Sequence, residues 1–380
     1  ELEATTARKG NRKVSLTISG WVNESVTFWD DGKESNVYIG TNALEQSRFK
    51  FAGKAKIDKD LEAGYNLEIG ITSNGSDKWT QDASKNDTSN FKLRKSNWYI
   101  KSKTYGKVTV GLEGTSTYHL LDDADGTNTR NYSDAQAATV AMGAFKTVKS
   151  ATNSYGLAWS EIMRGWDGST PGQSSRKNIV RYDSPEFGGF VASASWGEDD
   201  MWDTSLSYKG ELHDFKLIAK VGYGESTDPS ATKCGGPEAD FKCTWWGAAG
   251  TLMHAPTGIY VYGGYGEQTI DSVASGLDDS TTWFVQSGVE KKWNPLGKTT
   301  VFGEYRHEAA GAGFSSSNVQ VSNSADLDFW AAGVVQNIEA ASMDLYVIYR
   351  HAEGDYKDTG NTLVDIDDFD MVMSGARIQF

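Results

Sequence analysis

Polar and apolar side chains alternate with period two along most of this chain. Arg48-Phe49-Lys50-Phe51 shows the pattern, and Lys54-Ala55-Lys56-Ile57 continues it. Alternate side chains of a β-strand point to opposite faces. Phe49, Phe51, Gly53, Ala55 and Ile57 therefore share one face, and Arg48, Lys50, Lys54 and Lys56 share the other. Sixteen such segments can be marked: 14–29, 47–57, 62–72, 91–101, 107–114, 178–184, 189–197, 200–208, 214–223, 244–254, 258–266, 281–293, 297–307, 326–338, 341–351 and 367–380. The first carries Val14, Leu16, Ile18, Val22, Val26 and Phe28 on one side. The third sets Ala63, Tyr65, Leu67, Ile69 and Ile71 against Asn66 and Glu68. So many two-faced strands, the last ending on the aromatic Phe380, predict an all-β, 16-stranded antiparallel transmembrane barrel, apolar outside and wet inside.

The connections support this count because they alternate in length. Tight turns are predicted at Lys59-Asp60-Leu61, 102–106, Pro185-Glu186-Phe187, Ala255-Pro256-Thr257, Asn294-Pro295-Leu296 and Asn337-Ile338-Glu339. Longer polar loops fall at 30–46, 73–90, 224–243, 267–280, 308–325 and 352–366, with a near-hairpin at Gly197-Glu198-Asp199-Asp200 as the exception. Short turns on one rim and long loops on the other are the asymmetry of an outer-membrane barrel. Phe190 and Trp196, Trp202 and Tyr208, and Phe215 and Tyr223 pair at strand ends. Their spacing spans roughly 20–26 Å, close to the height of the apolar band between two aromatic girdles.

One connection is out of scale. Residues 115–177 carry no convincing strand, and loops beyond ~15 residues are often functional. Within it, Ser133-Asp134-Ala135-Gln136 precedes Ala137, Ala138, Val140 and Ala141, a capping-box pattern that predicts a short helix.

Composition agrees with a solvated interior. Only 38% of the 380 residues are hydrophobic, with 41 glycines, 13 tryptophans and 17 tyrosines, and mean hydropathy is −0.51. No run approaches the ~20 apolar residues of a spanning helix, which leaves strands as the means of crossing. The six prolines are scattered and no linker divides the chain, so residues 14–380 read as one barrel behind a polar segment, 1–13. That segment shows no signal peptide, as expected of a mature secreted chain, and is expected to be disordered. Cys234 and Cys243 are close in sequence in a polar stretch, which suits a loop-closing disulfide in an oxidising compartment.

The chain resembles the general diffusion porins of Gram-negative outer membranes, particularly the alpha-proteobacterial type. The matching segments are Lys13-Val14-Ser15-Leu16 through Gly20, Trp29-Asp30-Asp31-Gly32, and Arg181-Tyr182-Asp183-Ser184-Pro185 with Phe187-Gly188-Gly189-Phe190. Gly303-Glu304-Tyr305 and the ending Gly375-Ala376-Arg377-Ile378-Gln379-Phe380 also match. The resemblance implies a homotrimer, a third loop folded inward as a constriction, and a terminal Phe380 read by the assembly machinery. Residues 115–177 occupy the place of that loop but exceed its usual length.

Catalysis finds little footing. The histidines at 119, 213, 254, 307 and 351 form no spaced pair, and no triad can be read around Ser116 and His119. No cofactor is implied. A net charge of −14, concentrated as carboxylates in loops, argues against nucleic acid. Some of those carboxylates suit Ca²⁺ or Mg²⁺ bridging to lipopolysaccharide phosphates. Basic residues occupy the polar parity instead: Lys50, Lys54, Lys95, Arg181, Lys216, Lys220, Arg306, Arg350 and Arg377. On lipid each would cost ~2–4 kcal/mol, so alternation assigns them to the channel, facing solutes or paired with Glu68, Glu113 or Glu304. If the long loop folds inward, Asp122, Asp123 and Asp125 are expected to face Lys50, Lys54, Lys95 and Arg181. Such opposed charges would filter small hydrophilic solutes. The alternatives are a sugar- or anion-specific channel with an aromatic slide (Trp21, Trp29, Trp159 or Trp166), an outer-membrane enzyme, and a soluble binding protein. Glu24, on the lipid parity of the first strand, is tolerable between subunits or at an interfacial depth, and Gly20 beside it would permit close approach.

Overall fold

The computed structural model describes residues 13–82, 90–132, 142–164, 170–197, 200–227, 242–270, 279–315 and 319–380. Sixteen strands among them form the wall. They are β1 (Thr17–Asp30), β2 (Arg48–Lys56), β3 (Leu61–Thr72), β4 (Asn90–Ser102), β5 (Gly106–Gly114), β6 (Arg176–Asp183), β7 (Phe190–Gly197) and β8 (Trp202–Leu212). The second half supplies β9 (Phe215–Ser226), β10 (Cys243–His254), β11 (Ile259–Ile270), β12 (Asp279–Asn294), β13 (Gly297–Ala310), β14 (Gln320–Ile338), β15 (Met343–Asp358) and β16 (Leu363–Gln379). Each pairs antiparallel with the next, and β1 pairs with β16 from Trp21↔Gln379 to Asp30↔Asp370. Closure leaves no row of unpaired amides facing hydrocarbon, which is the condition for a sheet to span a membrane.

The outward parity carries exposed Val22, Val26, Phe28, Leu206, Val221, Val261, Val285, Val301 and Val347. Phe190, Trp202, Phe215 and Tyr223 are exposed too, and Phe190 stacks against Tyr208 with ring centroids 4.6 Å apart. The beginning of β1 meets Phe380 at one rim, where Gly20 and Phe380 exchange backbone hydrogen bonds at 2.9 and 3.0 Å. The Phe380 ring covers Gly20, where a Cβ would lie 2.9 Å from its Cζ. The close approach that Gly20 permits is therefore made by the chain's own last residue.

Three predicted loops are shorter than their sequence suggested. The stretch 30–46 turns at once, with Asp31 N–H donating to the Glu34 carbonyl and Gly32 at a φ of 83°. Ser35–Thr41 then pairs with the outer half of β1, while β2 pairs with its inner half. The two pieces are one descending strand, interrupted by residues 42–47. At the other end of the chain, β14 begins at 320, β15 runs to 358 and β16 begins at 363. These extensions lie beyond the apolar band, where both faces are wet and alternation fades, so pattern alone stops short of them.

Described residues between 115 and 164 bond to the inward face of the wall. Thr251 Oγ1 donates to the Ala124 carbonyl at 2.6 Å, Tyr262 to the Leu121 carbonyl at 2.9 Å, and Asn128 Nδ2 to Asp344 at 3.0 Å. Further on, Lys146–Lys149 and Ser154–Ala158 form a small hairpin, and Lys149 bridges to Ile366 of β16. One helical turn, Trp159–Ile162, follows. The helix predicted around 133–141 lies outside the described residues. Trp29, Tyr38, Phe145, Trp159 and Phe369 pack into a buried aromatic cluster, with Trp29 and Phe145 centroids 4.9 Å apart. The interior is thus not uniformly wet: loop and wall share a dry core on one side.

Candidate functional site

The site begins with two interruptions of regular pairing. Residues 42–47 leave the wall between Thr41 and Arg48, and Asn42 caps a 3₁₀ turn by accepting from Leu44 N–H at 3.1 Å. That turn places Glu45 inside the lumen, 2.8 Å from Arg48. On β4 the register slips between Glu68 and Ile69, so that Arg94 is an extra residue in the ladder. A bulge of this kind re-aims a side chain. Arg94 Nε reaches Glu68 at 2.8 Å, while the adjacent Lys95 reaches Glu113 at 2.6 Å. Both therefore serve the same interior, which strict alternation forbids.

Lys50 lies 3.6 Å from Glu68, which also receives Arg48 at 2.9 Å. Arg181 pairs with Asp183 at 2.8 Å and donates from Nη1 to the carbonyls of Gly114 and Thr115, where the long loop leaves β5. The remaining basic positions lie apart from this group. Lys54 is mostly solvated and pairs with Glu62 at 3.3 Å. Arg306 is buried against Glu308 and Thr282. Arg350, also buried, donates to the Tyr132 carbonyl at 3.3 Å. Neither arginine borders the polar cavity between loop and wall, and Arg350 lies against the loop at Tyr132.

Arg130 organises the loop's side. Its guanidinium lies 3.0 Å from both Asp122 and Asp123 and 3.7 Å from Glu45. Asp123 also receives Lys220 of β9 at 3.3 Å. Asp122 is buried beneath, 2.5 Å from His119 Nδ1. Burial pushes its carboxyl up, but Arg130 and His119 outweigh burial and hold it well below the usual range. Glu45 is likewise held low, with burial opposed by Arg48 and Arg130. Asp125 points elsewhere: it accepts from Thr127 and Thr129 at 2.8 and 2.6 Å inside the loop. Of the three loop acids, Asp123 alone borders the polar cavity between loop and wall, and it faces Lys220 rather than Lys50, Lys54, Lys95 or Arg181.

Burial pushes Asp125 up to about 6 against those hydrogen bonds. Below that pH the group is neutral, and above it the loop gains one negative charge. The ratio of anion to cation permeability is therefore expected to fall as pH rises from 5 to 7.5. Asp125→Asn should flatten that step; a step unchanged in the variant would assign the titration to another group.

Between loop and wall lies a polar cavity of about 370 Å³. Seven cationic side chains border it, Arg48, Lys50, Arg94, Lys95, Arg130, Arg181 and Lys220, against the four carboxylates Glu45, Glu68, Glu113 and Asp123. Ser193, Ser205 and Ser207 on β7 and β8 line the stretch of wall between Arg181 and Lys220, and their small size keeps it open. A charged gap of this kind suits dissolved ions and polar solutes.

The family model of the Gram-negative porins matches residues 4–361. The chain belongs to the Gram-negative porin family. No curated protein matches it in sequence. Among solved structures it is similar to the anion-selective porin from Comamonas acidovorans, with a TM-score of 0.63 and 16% identity over 97% of this chain and 100% of that one. It is also similar to OmpT of Vibrio cholerae, at TM-score 0.58 and 15% identity over 99% and 100% of the two chains. Salmonella typhi OmpF, in complex with daunomycin, gives 0.57 and 12% over 98% and 99%. These likenesses carry the fold, and the family is fixed at the level of Gram-negative porins rather than an alpha-proteobacterial subtype. The porin is thus an outer-membrane barrel that forms a water-filled channel for passive diffusion of small hydrophilic solutes. Its family and its structural neighbours are channels rather than enzymes.

Arg94, Arg48, Arg130 and Glu45 escaped the sequence reading of the site. For Arg94 a signal exists: the outward set is Phe91 and Leu93 at one end of β4 but Trp98 and Ile100 at the other. That change from odd to even requires an inserted residue.

Proposed function

We propose that this porin favours small anions, with the gap between Arg130's loop and the β2–β6 wall as its filter. Seven cations border that gap against four carboxylates, with Asp122 behind Arg130 and Asp183 beside Arg181, and the remaining positive excess carries the reading. A solute leaving bulk water meets a net positive field there, in spite of the chain's overall charge of −14, because most acids lie on loops and the outer surface. That a structural neighbour is named an anion-selective porin agrees with this reading. Each wall base keeps a carboxylate beside it, so the field is one of partial compensation and the site holds no solute tightly.

Flux should accordingly rise linearly with concentration. In proteoliposome swelling, a small organic anion is expected to enter several-fold faster than a cation of equal size. Saturation, or block of ion current by a sugar, would favour the substrate-specific channel instead.

Two further features belong to the same proposal. The porin assembles as a homotrimer; one solved neighbour is a trimer form of Vibrio cholerae OmpT. Glu24 supports it. This carboxylate lies on the outward parity at the break in β2 and accepts from Thr41 at 2.8 Å and Ser47 at 3.4 Å, a half-buried polar group suited to a protein-covered face. Light scattering in mild detergent should give three chains per particle, and a monomer would contradict it. Cys243 is buried at the start of β10, whereas Cys234 lies outside the described residues; their disulfide is tested by a two-dalton mass gain on reduction.

A further inference from the structure

A second polar constellation lies on the outer surface of the wall, away from the passage. Tyr349, His351 and Glu353 alternate along the outward face of β15, continuing the exposed Val347. Asp368 and Asp370 stand on β16, with Asp370 directly opposite His351. The Tyr349 hydroxyl donates to Asp370 Oδ1 at 2.6 Å, and His351 Nδ1 lies 2.9 Å from the same oxygen. A carboxylate there can only accept, so Nδ1 carries a proton and Nε2 is the nitrogen left for a metal. Nε2 is turned toward Glu353 Oε2 at 3.9 Å and Asp368 Oδ2 at 4.0 Å.

Three donors separated in this way surround a point that a divalent ion can occupy, since imidazole nitrogen and carboxylate oxygen bind zinc at roughly 2.0–2.2 Å. We propose that His351 Nε2, Glu353 and Asp368 form a divalent-metal site on the outer wall, with Asp370 and Tyr349 as positioning residues for the imidazole. Orientation of a ligand histidine by a carboxylate on its other nitrogen is the usual support of such sites.

Electrostatics points to a cation independently. On the same outward face Glu353 lies directly opposite Asp328, and Asp355 directly opposite both Asp326 and Asp365. Like charges paired across strands are destabilising, and a bound cation relieves them. The nitrogen donor selects a metal of the zinc type over calcium or magnesium, which prefer all-oxygen sets.

A neighbouring group differs in composition and in which imidazole nitrogen faces the acids. Tyr305, His307, Asp328 and Asp326 repeat the pattern on β13 and β14, but Ala309 stands where β15 has Glu353. There both carboxylates approach Nδ1, at 2.9 and 3.9 Å, rather than Nε2 as at His351. The site at His351 is two residues, or roughly 7 Å, beyond the girdle residue Tyr349, at the level of the headgroups. Its open coordination positions face outward.

Zinc titration calorimetry on the untagged, chelator-stripped protein in detergent tests the assignment. One saturable site per chain is expected, lost in His351→Gln and weakened at least tenfold in Glu353→Gln. Asp370→Asn should weaken it about 10–100-fold, and His307→Gln should leave it in place. Single-channel conductance should match the parent in all four variants, since none lines the lumen, and this reports correct folding. Absent zinc binding, binding undiminished in His351→Gln or Glu353→Gln, or a site lost in His307→Gln instead, would overturn the proposal.

Discussion

Replacing Lys50, Lys95 and Lys220 together with glutamine is expected to abolish the anion preference of this porin. The substitution leaves four cationic side chains bordering the gap against an unchanged set of four carboxylates. All three lysines are partly solvated, with side chains between about a fifth and a third exposed, so their removal disturbs packing little. Their contribution is to the potential along the passage, where low-dielectric walls strengthen the field of each charge. Permeability to chloride over potassium should fall several-fold, to unity or below, in bilayers containing the triple variant, since Asp122 and Asp183 also remain beside Arg130 and Arg181. Conductance at high salt should change less, because screening shortens the reach of the remaining charges. A permeability ratio that stays at the parental value would place the filter elsewhere.

Arg130→Met should have the larger structural effect. Arg130 is the point at which the loop acids Asp122 and Asp123 and the wall acid Glu45 converge. Breaking such a pair leaves buried carboxylates uncompensated, at a cost of about 3–5 kcal/mol where burial is complete. Asp122 retains His119, so the loss should fall toward the lower end. The loop near 122–131 is then expected to loosen from β9, giving larger and noisier single-channel currents. The double variant with Asp122→Asn should recover steady currents, because it removes the charge that had lost its partner. Identical noise in the single and double variants would show that Arg130 acts only on permeating ions.

Much of this was legible in the sequence, and the failures have physical causes. The wall emerged because lipid outside and water inside impose a strict period of two, and all sixteen marked segments overlap observed strands. Where that constraint lapses, so did the reading: the outer ends of β14, β15 and β16 are wet on both faces. Parity alone puts Lys50, Lys95 and Arg181 on the inward face, and the three border the cavity between loop and wall. Arg94 was lost to a bulge, although Leu93 and Trp98 betray the change of parity. Glu45 falls in the stretch 30–46 that reads as an outer loop, since nothing in a single sequence distinguishes residues 42–46 from the end of a long connection.

The acidic loop was the hardest part. Asp122, Asp123 and Asp125 look alike in sequence, yet one is buried on a histidine and an arginine, one faces Lys220, and one is turned into threonines. These roles depend on where the loop meets β9, β10 and β12, contacts between residues a hundred positions apart. Arg306 and Arg350 share the parity of the pore bases but lie under the loop, which the strand pattern does not register.

The zero-current potential across a planar bilayer with a tenfold potassium chloride gradient tests the central claim most directly. With the single porin species reconstituted near neutral pH, the sign of that potential should report preferential chloride movement, and it should weaken in the triple lysine variant. A potential of the opposite sign in the parent, reporting potassium preference, would contradict the account and hand control of selectivity to the acidic outer loops.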